Sequence, residues 1–458
     1  MKKSKAKQKP LAPSKSPEPP IDGPRYALAI LIGLYLLLAL GAAVVVPTDP
    51  AQAPKLVPPD EPAHWAYIVE LASGKGLPTF ASGTANYEAH QPPLYYLSAL
   101  WCAWLGGSHG LLLARLWSAL LGVGTLLAAW QALRYLLGEA FWPRLAAVAA
   151  LAFLPGRLFI LSSVSNDPMF ELWATLTLWQ LLKALHEGIT PRRSVYLGIC
   201  LGLALLSKST GIVLIPLAVL AAVSGSLTKG SRSPDSTAHS GSWIANTALM
   251  LLVTGLIWGW WVVRNLVLYG DPLAMGIFQQ IFLKDRATPE YFLSHGMTWG
   301  GYWTLVAYQA QMSLWGVFGQ ATIYMPLAFY RIGYALEALA VVGLAVEWWR
   351  FRAARPVEAD DLSAARTRCW GAAILLLFLT LATFLRFNTV FYQAQARYFL
   401  GASAVGAAIL AAGLYGLARG KSSPWPALLL TLLLAALSVW AIWAHVAGSY
   451  SLMPPGLL

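Results

Sequence analysis

The charges of this sequence are confined to short intervals between long apolar runs, and that spacing leaves the chain few folds to choose from. About twenty consecutive apolar residues span the hydrocarbon core of a bilayer as a helix. Within such a helix every backbone N–H and C=O finds its partner inside the segment. Only 11% of the 458 residues are charged, against roughly 25% in an ordinary soluble domain. An all-α integral membrane protein follows. The net charge of +12 does not point to nucleic acid, because the basic residues sit between apolar segments instead of forming one patch. Cys102, Cys200 and Cys369 lie apart in apolar stretches with no C-x-x-C pair. Neither a disulfide framework nor a thiolate metal site is expected.

Residues 1–24 are basic and proline-rich, with lysines at 2, 3, 5, 7 and 9, and read as a disordered cytoplasmic tail. The run from Tyr26 to Val46 exceeds a signal-peptide core and reads as a retained span. Further spans are expected near 113–137, 143–161, 168–186, 194–209, 211–224, 243–268, 322–348, 369–387, 399–418 and 424–446. The total is about eleven, within a membrane domain covering 25–450. The run 93–105 is too short to cross and carries Tyr95, Tyr96, Trp101 and Trp104, so it reads as an interfacial or re-entrant helix on the outer face. With that assignment Arg134, Arg144, Arg192, Arg193, Lys229, Arg232, the Arg350–Arg368 cluster, Arg419 and Lys421 all fall inside. The positive-inside rule asks for this. Outer loops are then about 47–110 and 269–321, the second bearing a surface helix with Trp299, Trp303 and Trp315. The N-terminus is expected inside.

The first outer loop carries the adjacent acids Asp60 and Glu61. Such a pair can do general-base work, hold a divalent cation, or simply face solvent. With His64 it forms D-E-x-x-H, but Pro62 makes the regular helix of a metal motif doubtful. Glu88 and His90 precede Pro92-Pro93 and could contact a polar substrate or cap a helix start. Asp167, before Pro168, is expected to cap a helix, with a role in the site as the second option. Lys208, Arg264, Arg386 and Arg397 sit at outer ends of spans, where charge balance does not require them. Snorkelling is the plain reading. Binding a phosphate near the outer leaflet is the functional one, because Arg grips phosphate in a bidentate fork.

Taken in order, Pro59-Asp60-Glu61-Pro62-Ala63-His64 and His90-Gln91-Pro92-Pro93-Leu94-Tyr95-Tyr96 resemble the opening of the GT-C glycosyltransferases. That superfamily includes the protein O-mannosyltransferases and the lipid A aminoarabinose transferases. Ser207-Lys208-Ser209-Thr210-Gly211, Arg264-Asn265 with Tyr269-Gly270-Asp271-Pro272, and Gln395-Ala396-Arg397-Tyr398 resemble a bacterial branch of it without assigned substrates. The resemblance implies a GT-C-like fold and transfer of a sugar from a polyprenyl-phosphate donor to an acceptor hydroxyl at the outer face of a bacterial cytoplasmic membrane, with inversion at the anomeric carbon. It implies Asp60 as general base and Glu61 as its support. His64, Glu88, His90 and Asp167 would face sugar or acceptor, and Lys208, Arg264, Arg397 and Tyr398 would hold the donor phosphate. These cations could stabilise the leaving phosphate without a metal, so no cofactor is required, although a divalent cation at Asp60 and Glu61 stays open. Expected partners are the lipid-linked donor, membrane lipid and an unidentified hydroxyl acceptor. Two other readings are a transporter or flippase of lipid-linked glycans and a non-catalytic assembly partner. Transporters favour paired repeats and polar groups at mid-membrane, whereas the acids here cluster in an outer loop.

Overall fold

A computed structural model describes residues 23–48, 56–81, 87–227, 243–283, 287–353, 361–418 and 420–448. The basic tail up to residue 22, Lys229, Arg232, Arg355 and Arg419 lie outside the described residues. The chain is built of helices. In order these are α1 (Gly23–Val45), α2 (Glu61–Ala72), α3 (Leu94–Ser98), α4 (Leu100–Gly106), α5 (Gly110–Leu137), α6 (Phe141–Phe153), α7 (Pro155–Leu161), α8 (Asp167–Glu187) and α9 (Pro191–Ser207). Then follow α10 (Leu214–Leu227), α11 (Trp243–Tyr269), α12 (Met275–Phe282), α13 (Pro289–Ser294), α14 (Trp299–Gly316), α15 (Leu327–Ala353), α16 (Asp361–Asn388), α17 (Ser403–Leu417) and α18 (Trp425–Val439). Among the described residues the sheet content is one hairpin, pairing Val317–Phe318 with Ile323–Tyr324.

Eight helices among the described residues are long and apolar enough to cross a membrane, or nine when the bent pair α6–α7 counts as one span. This is a multi-pass membrane protein. The expected eleven is not reached by this measure. Helix α9 has 17 residues, and α8 carries Asp167, Glu171, Lys183 and Glu187. Both lie inside the bundle, α8 between α5 and α9, and α9 against α11. Of these charges Asp167 and Glu171 are turned inward, whereas Glu187, at the far end of the helix, is exposed. Conversely, Leu252, Leu256, Val263 and Val267 of α11 are exposed and recur at helical spacing. That is the pattern of a face toward lipid.

Three local features position the site. Asp60 takes a left-handed conformation, φ 63°, immediately before α2. The run 93–105 is broken at Ala99, and Gly107 (φ 50°) separates α4 from α5. Tyr95 and Tyr96 of α3 are fully buried, while Trp104 and Leu105 of α4 face outward. Helices α6 and α7 meet at a 61° bend, where Pro155 begins the second of them. Proline cannot continue the hydrogen-bond ladder of α6, so the chain turns there and brings Arg157 inward. The expected tryptophan-bearing helix forms as α14, with Trp299 and Tyr308 exposed along it. Trp315 is buried and donates to Glu337 of α15 at 2.9 Å.

A cavity of about 760 Å³ opens between α7, α14, α15, α16 and α17. Its wall is mostly apolar, with Trp303, Leu344, Leu381, Phe384, Phe399 and Leu410 among its residues. Arg397 and Pro59, next to Asp60, also line it.

Candidate active site

Asp60, Asp167, Lys208 and Arg397 come from four separated segments and converge in one ionic cluster. The Nη2 group of Arg397 donates to Asp60 Oδ2. Its Nη1 lies 4.0 Å from Asp167 Oδ2, and Lys208 Nζ donates to Asp167 Oδ1. Tyr87 donates its hydroxyl to Asp60 Oδ1 at 3.1 Å. Lys208 Nζ is 5.6 Å from the Tyr398 ring centroid, within cation–π reach, and Arg397 is 5.9 Å from the same ring. The backbone explains how these groups arrive. Lys208 ends α9 in an extended conformation, and Arg397 begins a 3-10 segment, Ala396–Ala402, ahead of α17. Asp167 opens α8, but its carboxylate caps nothing. The N-cap is Asn166, which makes no side-chain cap bond. The expected capping role gives way to ion pairing.

Around this cluster lie His64, Glu88 and His90, all buried. His64 Nδ1 is 2.8 Å from the Tyr96 hydroxyl. Burial pulls the His64 imidazole down to about 3, and the Asp60 charge opposes this only in part. The ring therefore stays neutral across the physiological range. Pro62 does not break α2. It sits in the first helical turn, where its missing N–H costs nothing. Glu88 is pushed up to about 8, first by burial and then by the nearby Asp60 carboxylate. It is a neutral acid at pH 7, able to donate a hydrogen bond. His90 bonds the Tyr87 carbonyl at 3.0 Å and packs on Phe80, Phe278 and Phe282. Burial lowers its imidazole to about 4. Glu88 and His90 cap no helix: the N-cap of α3 is Pro93, without a side-chain cap bond.

Two expected site residues belong elsewhere. Glu61 does not share the site with Asp60. Its carboxylate turns into the protein, where Arg115 grips it at 2.9 and 2.6 Å and Val164 N–H adds a third bond at 2.8 Å. Arg115 also donates to the carbonyls of Ala43, Val46 and Pro47. Glu61 thus ties the end of α1, α5 and the turn before α8 together. The two neighbouring acids pair with different cations, so they do not jointly face one ion. Among the described residues no group of three or more His, Cys, Asp and Glu could hold a metal. Arg264 is the second displaced residue. It stacks on Trp261 and donates to the Pro78 carbonyl at 2.7 Å. Tyr269 accepts from Phe80 N–H at 2.9 Å. Asp271 closes a turn through the N–H groups of Leu273 and Gly276. The segment from Arg264 to Pro272 therefore anchors the chain at 77–80. Arg386 bonds Thr389 on the surface.

Several participants were missed in the sequence. Arg115 and Arg157 lie inside apolar runs, where an ionisable residue is a signal by itself. Arg157 pairs with Glu171 at 2.7 Å, one turn further along α8 than Asp167, and Ser403 donates to the same carboxylate. Tyr87 and Asn166 carry no such signal. Asn166 donates to Gln91 Oε1 at 3.1 Å and to the Ser207 carbonyl.

A family model described as "Predicted membrane protein (DUF2142)" matches residues 78–404. No curated protein matches the sequence. Among solved structures the fold resembles the archaeal oligosaccharyltransferase AglB from Archaeoglobus fulgidus, in complex with an inhibitory peptide and a dolichol-phosphate. The match has a TM-score of 0.53 and 15% identity over 94% of this chain. The chain spans 57% of that enzyme's length. It also resembles the arabinofuranosyltransferase AftD from Mycobacteria, with a TM-score of 0.50 and 18% identity, covering 92% of this chain and 27% of that one. The fold is that of the GT-C glycosyltransferases.

Proposed function

This chain belongs to the DUF2142 family, and we propose that it is a membrane glycosyltransferase taking its sugar from a polyprenyl-phosphate donor and passing it to an acceptor hydroxyl. The observation that carries this reading is the placement of Arg397. It lines the apolar cavity of about 760 Å³ and pairs with Asp60. A prenyl chain lying in that cavity would bring its phosphate to Arg397 and Lys208. The GT-C fold supports the reading, and the dolichol-phosphate bound to AglB shows that a neighbour of this fold holds such a carrier.

In the proposed reaction Asp60 removes the proton of the acceptor hydroxyl as its oxygen attacks the sugar C1 from the face opposite the phosphate. The new C1–O bond forms while the C1–O–phosphate bond breaks, inverting the anomeric centre. The lipid phosphate leaves with the bond electrons, and Arg397 and Lys208 stabilise its charge. Neutral Glu88 can donate to the sugar or acceptor, and Asp167 holds Lys208 in place. In this scheme the two cations carry the charge of the leaving phosphate. The site faces the outer side of the cytoplasmic membrane.

The test is transfer from radiolabelled polyprenyl-phosphate sugars by the purified full-length protein in lipid nanodiscs. Asp60→Asn preserves shape and the Tyr87 contact, and it should lower transfer by roughly 10²- to 10⁴-fold, the scale of a lost general base. Unchanged transfer in that variant would remove Asp60 from the base role.

A further inference from the structure

Arg397 stands at the junction of cavity and cluster, and its guanidinium is only half used. The Nε–H and the neighbouring Nη2–H point the same way and form the side-on fork with which arginine grips an oxyanion. Here Nη2 is committed to Asp60, while Nε is buried without a hydrogen-bond partner. Asp167 Oδ2, 4.0 Å from Nη1, is likewise buried without one. Each buried polar group left without a partner destabilises this arrangement. Asp60 adds a left-handed backbone that few residues other than Gly, Asn and Asp tolerate. The arrangement therefore holds Asp60 in a contact that leaves polar atoms beside it unsatisfied. A phosphate would satisfy the fork, and to do so it must take Nη2.

We infer that Asp60 and the donor phosphate compete for Arg397, so that donor binding releases the base. This rests on the proposed function and adds a regulation to it. Before the donor binds, the Asp60 carboxylate has one oxygen on Arg397 and the other on Tyr87, and it is a poor base for any hydroxyl, water included. When the phosphate fills the fork, one Asp60 oxygen is freed next to the sugar C1. The base is armed only with the donor in place, which protects the site from idle acid–base chemistry and orders binding as donor first.

The probe is undecaprenyl monophosphate without sugar, with undecaprenol as the uncharged control, titrated into the purified full-length protein. Removing the competitor with Asp60→Asn should tighten phosphate binding roughly tenfold, the scale of one hydrogen bond to a charged group. Asparagine accepts the left-handed backbone, so the loop should persist. Relief of simple repulsion between Asp60 and phosphate would give a similar gain, and a double-mutant cycle separates the two. In an Arg397→Ala background, which retains Lys208, the Asp60→Asn gain should vanish if the two compete for Arg397. An equal gain in both backgrounds, or none in either, overturns the inference while phosphate binding itself stands. Equal binding of monophosphate and undecaprenol by every variant would instead overturn the lipid-phosphate reading beneath it.

Discussion

Asp60 and Glu61 are adjacent in the chain and opposite in environment, because the first is the left-handed residue before α2 and the second is the first residue inside it. That change of backbone sends their side chains to different partners. Asp60 reaches Arg397, 337 positions away, and Glu61 reaches Arg115. Sequence alone finds the acidic pair but not its division, since neither composition nor spacing states which way each carboxylate turns. The difference predicts distinct phenotypes. Glu61→Gln leaves the Arg115 guanidinium, wholly buried, without its counter-charge. It should destabilise the fold by about 3–5 kcal/mol, seen as a lowered thermal unfolding temperature of the detergent-solubilised protein. Asp60→Asn should lower that temperature less, because Arg397 keeps Asp167 at 4.0 Å. Equal loss in the two variants would mean that the acids act as one unit.

Helices were legible in the sequence wherever lipid faces them, as in α1, α11 and α18, because uninterrupted apolar runs are visible without any tertiary knowledge. The bend between α6 and α7 and the inward charges of α8 were less so, since they depend on what each helix packs against. Close helix crossings were invisible for the same reason. Gly343 of α15 and Gly413 of α17 bring two backbones together. A methyl group added at Gly343 would lie 1.8 Å from the Gly413 carbonyl oxygen. No rotamer relieves that contact, because the neighbour is backbone. Gly343→Ala should therefore force α15 from α17 and lower the unfolding temperature. Since α15 and α17 both wall the cavity, the variant should also weaken binding of undecaprenyl monophosphate. A variant as stable as the parent, with equal lipid affinity, would show that the crossing is looser than described.

Across the whole molecule the fold joins an apolar cavity among helices to a charged cluster assembled from four separated segments. Alternating apolar runs and charge placement revealed the membrane class, and the ordered motifs pointed to the GT-C fold. Of the residues expected to bind phosphate, Lys208, Arg397 and Tyr398 come together, whereas Arg264 holds the loop at 77–80. Cation position along the chain could not separate them, because all sit at ends of apolar segments. What separates them is which groups pack beside each one. The most direct test of the account is an electron cryomicroscopy structure of the protein with undecaprenyl monophosphate. Phosphate density is expected on the Arg397 fork within reach of Lys208, with the lipid chain running into the cavity between α14, α15, α16 and α17. Phosphate density at Arg264, or lipid bound away from that cavity, would contradict it.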